Sequence, residues 1–290
     1  MHQKKNILKS KKNHEVKVPK AIKFTAKTLS LISDNLTVKF CSKIFTTPIK
    51  HKTPKREFEM DNLSTQVLVQ IPKIKKEVVV YHYGDSPKKV LLVHGWSGRG
   101  TQLVKIADEL VSKGFSTISY DAPAHGKSGT STTLMPEFIA TNLELEKLYG
   151  PFEFAIGHSL GGMSLLNSVK QGLNIKKLVT IGSADKITDI LLDFVGKLEL
   201  KPVIAEKMKI HFEKKFGEPM ENYASHRAAQ NVQIPTLVVH DKNDYEVPII
   251  CGVNIHKNLP NGTFLETTRL GHRKILGDQE TINNIINFLL

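Results

Sequence analysis

Phe154-Ala155-Ile156-Gly157-His158-Ser159-Leu160-Gly161-Gly162 is the stretch from which the rest of the chain can be read. An apolar run stops at a glycine, a serine occupies the turn, and two further glycines open a helical pattern. Gly157, Ser159 and Gly161 stand in G-x-S-x-G spacing. The reason for the spacing is steric. A strand that turns sharply into a helix strains the backbone of its apex residue, and the residues two before and two after must be small. The serine oxygen is then left exposed above the sheet. The N–H of the next residue, Leu160, lies at a helix N-terminus, where negative charge is stabilised.

Working outward, strand and helix patterns alternate. Residues 66–71 and 77–83 read as strands from their alternation and β-branching. Val90-Leu91-Leu92-Val93 is a continuous apolar run, as in a buried parallel strand. A helical pattern over 101–113 follows, then a strand at 115–120, a helix at 135–149, a strand at 152–156 and a helix from the serine turn to about Gln171. A strand at 177–181 comes next. Residues 185–230 interrupt this order with two amphipathic helical patterns, 187–198 and 202–216, and read as an inserted helical cap. Alternation resumes with strands at 235–240 and 262–266 and helices at 247–258 and 274–290. The pattern predicts an α/β protein, doubly wound on a mostly parallel sheet.

The first sixty residues differ in kind. They hold 15 of the 41 Lys/Arg and 4 of the 28 Asp/Glu, so most of the +13 net charge sits there and residues 61–290 are close to neutral. A basic isoelectric point is therefore no sign that the whole molecule binds nucleic acid, and no nucleic-acid partner is expected. Residues 1–20 read as a solvated basic tail. From Ala21 to Phe45, Ile22, Ala26, Leu29, Leu36, Phe40 and Ile44 recur at helical spacing with lysines between them, and Ser33-Asp34-Asn35 suggests a break. This basic helical extension either packs on the following domain or lies on an anionic membrane surface, making peripheral contact through residues 1–50. Residues 47–54 read as a linker. The domain reading is thus an extension, 1–60, and a catalytic domain, 61–290.

Cys41 and Cys251 are the only cysteines, which argues against a disulfide scaffold. No apolar run reaches the roughly 18 residues a membrane span needs. A cytoplasmic location follows as the expectation, with the inner membrane surface as the place of any peripheral contact.

A serine hydroxyl needs a base within hydrogen-bond reach, and the base needs an orienting acid. Such groups belong on loops at the C-terminal ends of strands. Asp244, in Asp241-Lys242-Asn243-Asp244 just past a strand, is the favoured acid; Asp185, after the preceding strand, is the alternative, and Asp241 reads as a turn residue. His272, in Leu270-Gly271-His272, follows the last strand and is the favoured base, while His240 and His256 read as structural. Two donors must hold the oxyanion: the Leu160 N–H is one, and the His94-Gly95-Trp96 loop supplies the other from the Trp96 N–H. Trp96, the only tryptophan, is expected to wall the substrate pocket. His158 is the other expected substrate contact, although the elbow turns its side chain from the nucleophile's direction. The Asp121–Gly129 loop reads as a structural turn. This chemistry calls for no metal and no organic cofactor.

His94-Gly95-Trp96, Asp121 to Gly129, Gly157-His158-Ser159-Leu160-Gly161-Gly162, Asn243-Asp244 and Gly271-His272 together resemble the α/β-hydrolase superfamily, in its order of nucleophile, acid and histidine. The resemblance covers residues 61–290. It implies a sheet of about eight strands with an antiparallel start. It also implies an acyl-serine mechanism on a small-molecule ester or thioester, as in carboxylesterases. Serine at the elbow, where aspartate would stand in dehalogenases and epoxide hydrolases, argues against those relatives. A membrane-surface lipase or acyltransferase-like enzyme, and a non-catalytic binding protein on the same fold, remain alternatives.

Overall fold

The computed structural model describes residues 18–290. Most of the basic tail read at 1–20 lies outside the described residues. The chain opens with helices α1 (Lys20–Ile32) and α2 (Asp34–Phe45), separated at Ser33. Ser33 is extended, and its hydroxyl accepts the Leu36 N–H, so the break doubles as the N-cap of α2. A short helix α3 (Phe58–Leu63) leads into strands β1 (Thr65–Ile71), β2 (Lys76–Tyr83) and β3 (Lys89–Val93). Then come α4 (Val104–Ser112), β4 (Ser116–Asp121), α5 (Met135–Tyr149), β5 (Phe152–His158), α6 (Leu160–Lys170) and β6 (Lys177–Ile181). Helices α7 (Ile187–Lys197), α8 (Val203–Phe216) and α9 (Ser225–Ala229) follow without a strand. The chain closes with β7 (Thr236–Asp241), α10 (Ile250–Asn258), β8 (Gly262–Thr267), α11 (Gly271–Lys274) and α12 (Gln279–Leu289).

The eight strands form one sheet in the order β1-β2-β4-β3-β5-β6-β7-β8. Pairing is antiparallel at β1–β2 and β2–β4 and parallel everywhere else. The continuous apolar runs are explained by burial on both faces. Leu91 and Val93 join one apolar layer, with Phe138 of α5, Leu165 of α6 and Ile255 of α10. Val90 and Leu92, one residue out of phase, join the other, with Ile106 and Leu110 of α4 and Ile282 and Ile286 of α12. The period of two along the strand thus serves two cores at once.

A third apolar cluster lies over the sheet's C-terminal edge. Val38 and Cys41 of α2 pack there with Leu191 and Val195 of α7, Met208 and Phe212 of α8, and Met163 of α6. The Phe45 ring, at the end of α2, meets Phe194 edge-on at 5.1 Å and Phe212 at 5.9 Å. The N-terminal helices and the cap helices are therefore packed as one layer.

Boundaries that differ from the pattern-based expectation include the following. The division at 60/61 falls inside α3, whose Met60 is fully buried in the sheet's second core. Glu57 beside it is buried too, and accepts from Arg99 Nη1 at 3.1 Å and Thr101 Oγ1 at 2.9 Å. The helix expected over 101–113 begins only at Val104, because residues 99–104 form turns that aim Gln102 at the Gly95 N–H. The closing helix expected over 274–290 is broken at Asp278, whose carboxylate caps α12 through the Thr281 N–H at 2.9 Å.

Candidate active site

β5 delivers the serine. It pairs with β3 and β6 on either side, and Gly157 is in register with both Val93 and Thr180. Ser159 then turns the chain at φ +53°, ψ −120°, outside the ordinary basins for an L-residue. The turn is possible because α6 starts hard against β3: a Cβ on Gly161 would lie 2.2 Å from the Val93 carbonyl oxygen. The glycine two residues past the serine is a requirement of that approach.

The donors around the serine are sorted by what already occupies them. In the loop after β3, the Gly95 N–H is taken by Gln102 Oε1 at 3.0 Å, and the Ser97 N–H by His125 Nε2 at 3.0 Å. Among the described residues, neither the Trp96 N–H nor the Leu160 N–H meets an acceptor. These are the two donors expected to face an oxyanion. A Cβ on Gly95 would stand 2.9 Å from the Ser159 Cβ, which sets this loop directly against the serine. Trp96 is 37% exposed, with its ring edge-on to His125 at 5.3 Å, so its indole stands at the rim.

The loop is held by two neutral histidines. His94 Nδ1–H donates to Gly95 O at 2.7 Å and its Nε2 accepts the Ala122 N–H at 3.0 Å. Burial pushes its pKa down to about 4. His125 Nδ1–H donates to Pro123 O at 3.1 Å, and burial, aided by His94, pushes its pKa down to about 3. Asp121 fastens the next loop, accepting from Tyr81 Oη at 2.9 Å, the Gly100 N–H at 2.7 Å and the Lys127 N–H at 2.6 Å. The 121–129 segment is a turn held by side chain to backbone bonds.

Asp244 and His272 meet. Asp244 Oδ1 accepts the Glu246 and Val247 N–H groups at 2.9 and 2.8 Å, and Oδ2 accepts from His272 Nδ1 at 2.7 Å. A carboxylate only accepts, so the His272 proton is on Nδ1 and the Nε2 lone pair is free for chemistry. Residues 246 and 247 are spent on fixing Asp244, which is why the helix expected from Val247 starts at Ile250. Asp241 is, as expected, a turn residue: it accepts from Asn243 N, Thr267 Oγ1 and Leu270 N.

Gly182 joins the two halves. The Ser159 N–H donates to Ile181 O at 2.8 Å. A Cβ on the next residue, Gly182, would sit 3.2 Å from His272 Nδ1 and 3.4 Å from Asp244 Oδ2. The serine and the histidine thus converge over the end of β6. No hydrogen bond links Ser159 to His272 in this arrangement; such bonds are often long in unliganded sites and tighten with substrate.

His158 is a correction. It is only 2% exposed, and its ring turns under the histidine loop, where Nε2–H donates to His272 O at 2.9 Å. Burial, with His272 adding to it, holds its pKa well below the usual histidine range. A side chain so placed braces His272 and cannot touch substrate. Asp185, the alternative acid, does not approach His272; it accepts from the His226 N–H and Nδ1 and from Asn254 Nδ2. His240 donates Nε2–H to Val247 O at 2.9 Å and is fully buried, a structural role as expected.

Pattern reading missed the contribution of residues 46–51. The Ile49 N–H donates to Ser97 Oγ at 3.0 Å, Lys50 Nζ reaches Ser128 O at 2.9 Å, and Arg99 Nη2 reaches His51 O at 3.0 Å. These bonds stitch the supposed linker onto the loop that carries Trp96 and onto the 121–129 turn. A proline-flanked polar stretch carries no signal of such long-range backbone bonds.

Comparison with known proteins now bears on this geometry. A model of the alpha/beta hydrolase family matches residues 90–242, more than half of the chain. The chain belongs to the alpha/beta hydrolase family. A second model, described as TAP-like protein, matches residues 216–290 of this alpha/beta hydrolase. No curated protein matches its sequence. Among solved structures it is similar to a bromoperoxidase from Bacillus anthracis (TM-score 0.60, 19% identity, 78% of this chain and 99% of that one). An esterase from Exiguobacterium antarcticum is similar too (0.60, 16%, 78% and 99%). So is a membrane phospholipase A described as a bacterial virulence factor (0.62, 15%, 81% and 88%). At such identities the likeness is one of fold.

Proposed function

We propose that this alpha/beta hydrolase cleaves a carboxylic ester or thioester through an acyl-serine intermediate. The observation that carries the reading is the convergence of a strained Ser159, an Asp244–His272 pair at 2.7 Å and two unpaired backbone donors at the C-terminal edge of one sheet. Ser159 Oγ attacks the acyl carbon while His272 Nε2 takes its proton. Asp244 holds the ring in the tautomer that leaves Nε2 open, and stabilises the imidazolium that forms. Trp96 and Leu160 N–H groups hold the oxyanion, each worth about 2.7–4 kcal/mol in the transition state. His272 then protonates the leaving alcohol or thiol. A water, deprotonated by the same Nε2, attacks the acyl carbon; the bond to Ser159 Oγ breaks, His272 returns the proton to Oγ, and the acid product leaves.

Leu160 and Met163, at the foot of the elbow, belong to the apolar cluster shared with the cap and α2, which supports an apolar acyl group. The cap and the N-terminal helices would then limit its size.

Labelling with a fluorophosphonate probe tests the reading. The wild-type chain is expected to be labelled at Ser159 and to hydrolyse short aryl esters, and the Ser159→Ala chain to do neither. Equal labelling or equal hydrolysis by the variant would overturn it.

A further inference from the structure

Helices α1 and α2 each turn one face to the cap layer, through Ile22, Val38 and Cys41. Their other faces carry large apolar side chains that no core explains. Leu31 is 89% exposed, Phe24 73% and Ile32 69%, and Leu36 beyond the break is exposed as well. Phe24 and Leu31 are seven residues apart, on one side of α1, and Ile32 adjoins them at the corner before Ser33. Leu36 was expected on the packed face from its spacing; the break at Ser33 resets the helical phase and turns it outward.

The cap helix α8 extends this surface. Val203, Lys207, Ile210 and Lys214 lie at helical spacing and are all exposed. Lys207 pairs with Asp34, the first residue of α2. That ion pair sets Val203 and Ile210 beside the corner formed by Leu31, Ile32 and Leu36. Glu199 pairs with Lys23 and Lys27 and ties the start of α8 to α1.

The patch is rimmed by positive charge. Residues 18–45 carry five lysines against one acid, and residues 199–216 five against three. Lys20, Lys39 and Lys43 on the N-terminal helices have no ion-pair partner among the described residues. Lysine is depleted from protein–protein interfaces, whereas protruding Leu, Ile and Phe flanked by lysines is the signature of a helix that lies in a lipid headgroup layer.

We propose that the α1–α2 corner and the outer face of α8 dock this enzyme on a membrane surface bearing anionic lipid. Phe24, Leu31 and Ile32 enter the headgroup layer, and the lysines bind the negative surface, each worth about five-fold in partitioning. The proposal does not depend on the catalytic role of Ser159.

Co-sedimentation of the full chain with vesicles tests it. Vesicles of phosphatidylcholine with roughly one third phosphatidylglycerol are expected to pellet the protein, and phosphatidylcholine alone to leave it in solution. Raising salt from ~0.1 to ~0.5 M should cut binding at least about ten-fold. The Leu31→Glu/Ile32→Glu chain should also bind at least about ten-fold less, with its melting temperature and fluorophosphonate labelling unchanged, because both side chains are already in solvent. Lys39→Glu/Lys43→Glu should weaken binding to anionic vesicles in the same direction. Equal binding to neutral vesicles, or unaltered binding by both double variants, would sink the idea. So would a concentration-dependent dimer that Leu31→Glu/Ile32→Glu abolishes, since the patch would then belong to a second copy.

Discussion

Among the described residues, two Asp–His pairs of the same length stand on neighbouring loops. Asp185 follows β6 and holds His226 Nδ1 at 2.7 Å; Asp244 follows β7 and holds His272 Nδ1 at 2.7 Å. Both aspartates are buried. What differs is the rest of each carboxylate's hydrogen bonding. Asp185 Oδ1 accepts both the His226 backbone N–H and its ring, Oδ2 accepts from Asn254, and the Asp185 carbonyl accepts the Ser225 N–H. That pair is the fastening of α9 to the sheet. Asp244 spends Oδ1 on its own loop and leaves Oδ2 to His272, whose ring hangs over Gly182 beside the serine turn. A short Asp–His contact is thus common to a structural clasp and a candidate catalytic dyad. Convergence with the Ser159 turn separates them.

The two pairs can be told apart experimentally, and the largest expected effect is at Ser159, the proposed nucleophile. Ser159→Ala should lower kcat on a short ester by a factor on the order of 10⁶ if the three groups act as a unit. A loss of less than about ten-fold would detach both dyads from catalysis. Asp244→Asn should cost about 10⁴ in kcat with the fold intact, because the amide favours the wrong tautomer of His272. Asp185→Ala is the matched control. It leaves the half-buried backbone and ring N–H donors of His226 without their acceptor, and should cost roughly 1–2 kcal/mol of stability in a urea melt while leaving kcat within about three-fold. A collapse of kcat without loss of stability would exchange the two roles.

A separate effect, on the pH dependence of stability, concerns the histidines that serve neither pair. His94 and His125 are held neutral, with pKa values pushed down to about 4 and about 3 by burial. Their folded values lie below the unfolded one, so the unfolded chain binds more protons. The stability they contribute is complete above pH ~6.5 and declines as pH falls toward ~4, by roughly 3 kcal/mol from His94 alone. Urea midpoints measured across that window should fall with pH, and His94→Gln should flatten the slope. An unchanged slope would mean that the loop carrying Trp96 is not held by a neutral His94.

The strands, the serine turn and the order of elbow, acid and histidine were legible in the residues because each rests on local physics. Leu91 and Leu92 belong to a continuous apolar run because both faces of the sheet are covered. Gly161 is required wherever a helix starts on top of a neighbouring strand, and the chain announces it two residues after the serine. Asp244 and His272 could be named because the ends of parallel strands all open on one edge.

Their particular partners were not legible. Nothing in Gly157-His158-Ser159 says that the His158 ring turns under the sheet's edge to hold the His272 carbonyl, 114 positions away. Nor do residues 46–51 signal that they bond to the loop after β3. The Trp96 N–H was named from the loop's residues, but nothing there says that Gln102 occupies the neighbouring Gly95 N–H.

The outward set of Leu36 and its neighbours follows from the phase change at Ser33 and from which face of α2 the cap had already claimed. Local sequence determined which elements form and which residue types stand at their ends, since strand alternation, helix periodicity and turn sterics act over a few residues. Only the tertiary structure decided which of two equal Asp–His pairs stands over the serine, and which apolar face remains in solvent, because both depend on contacts between segments far apart in the chain.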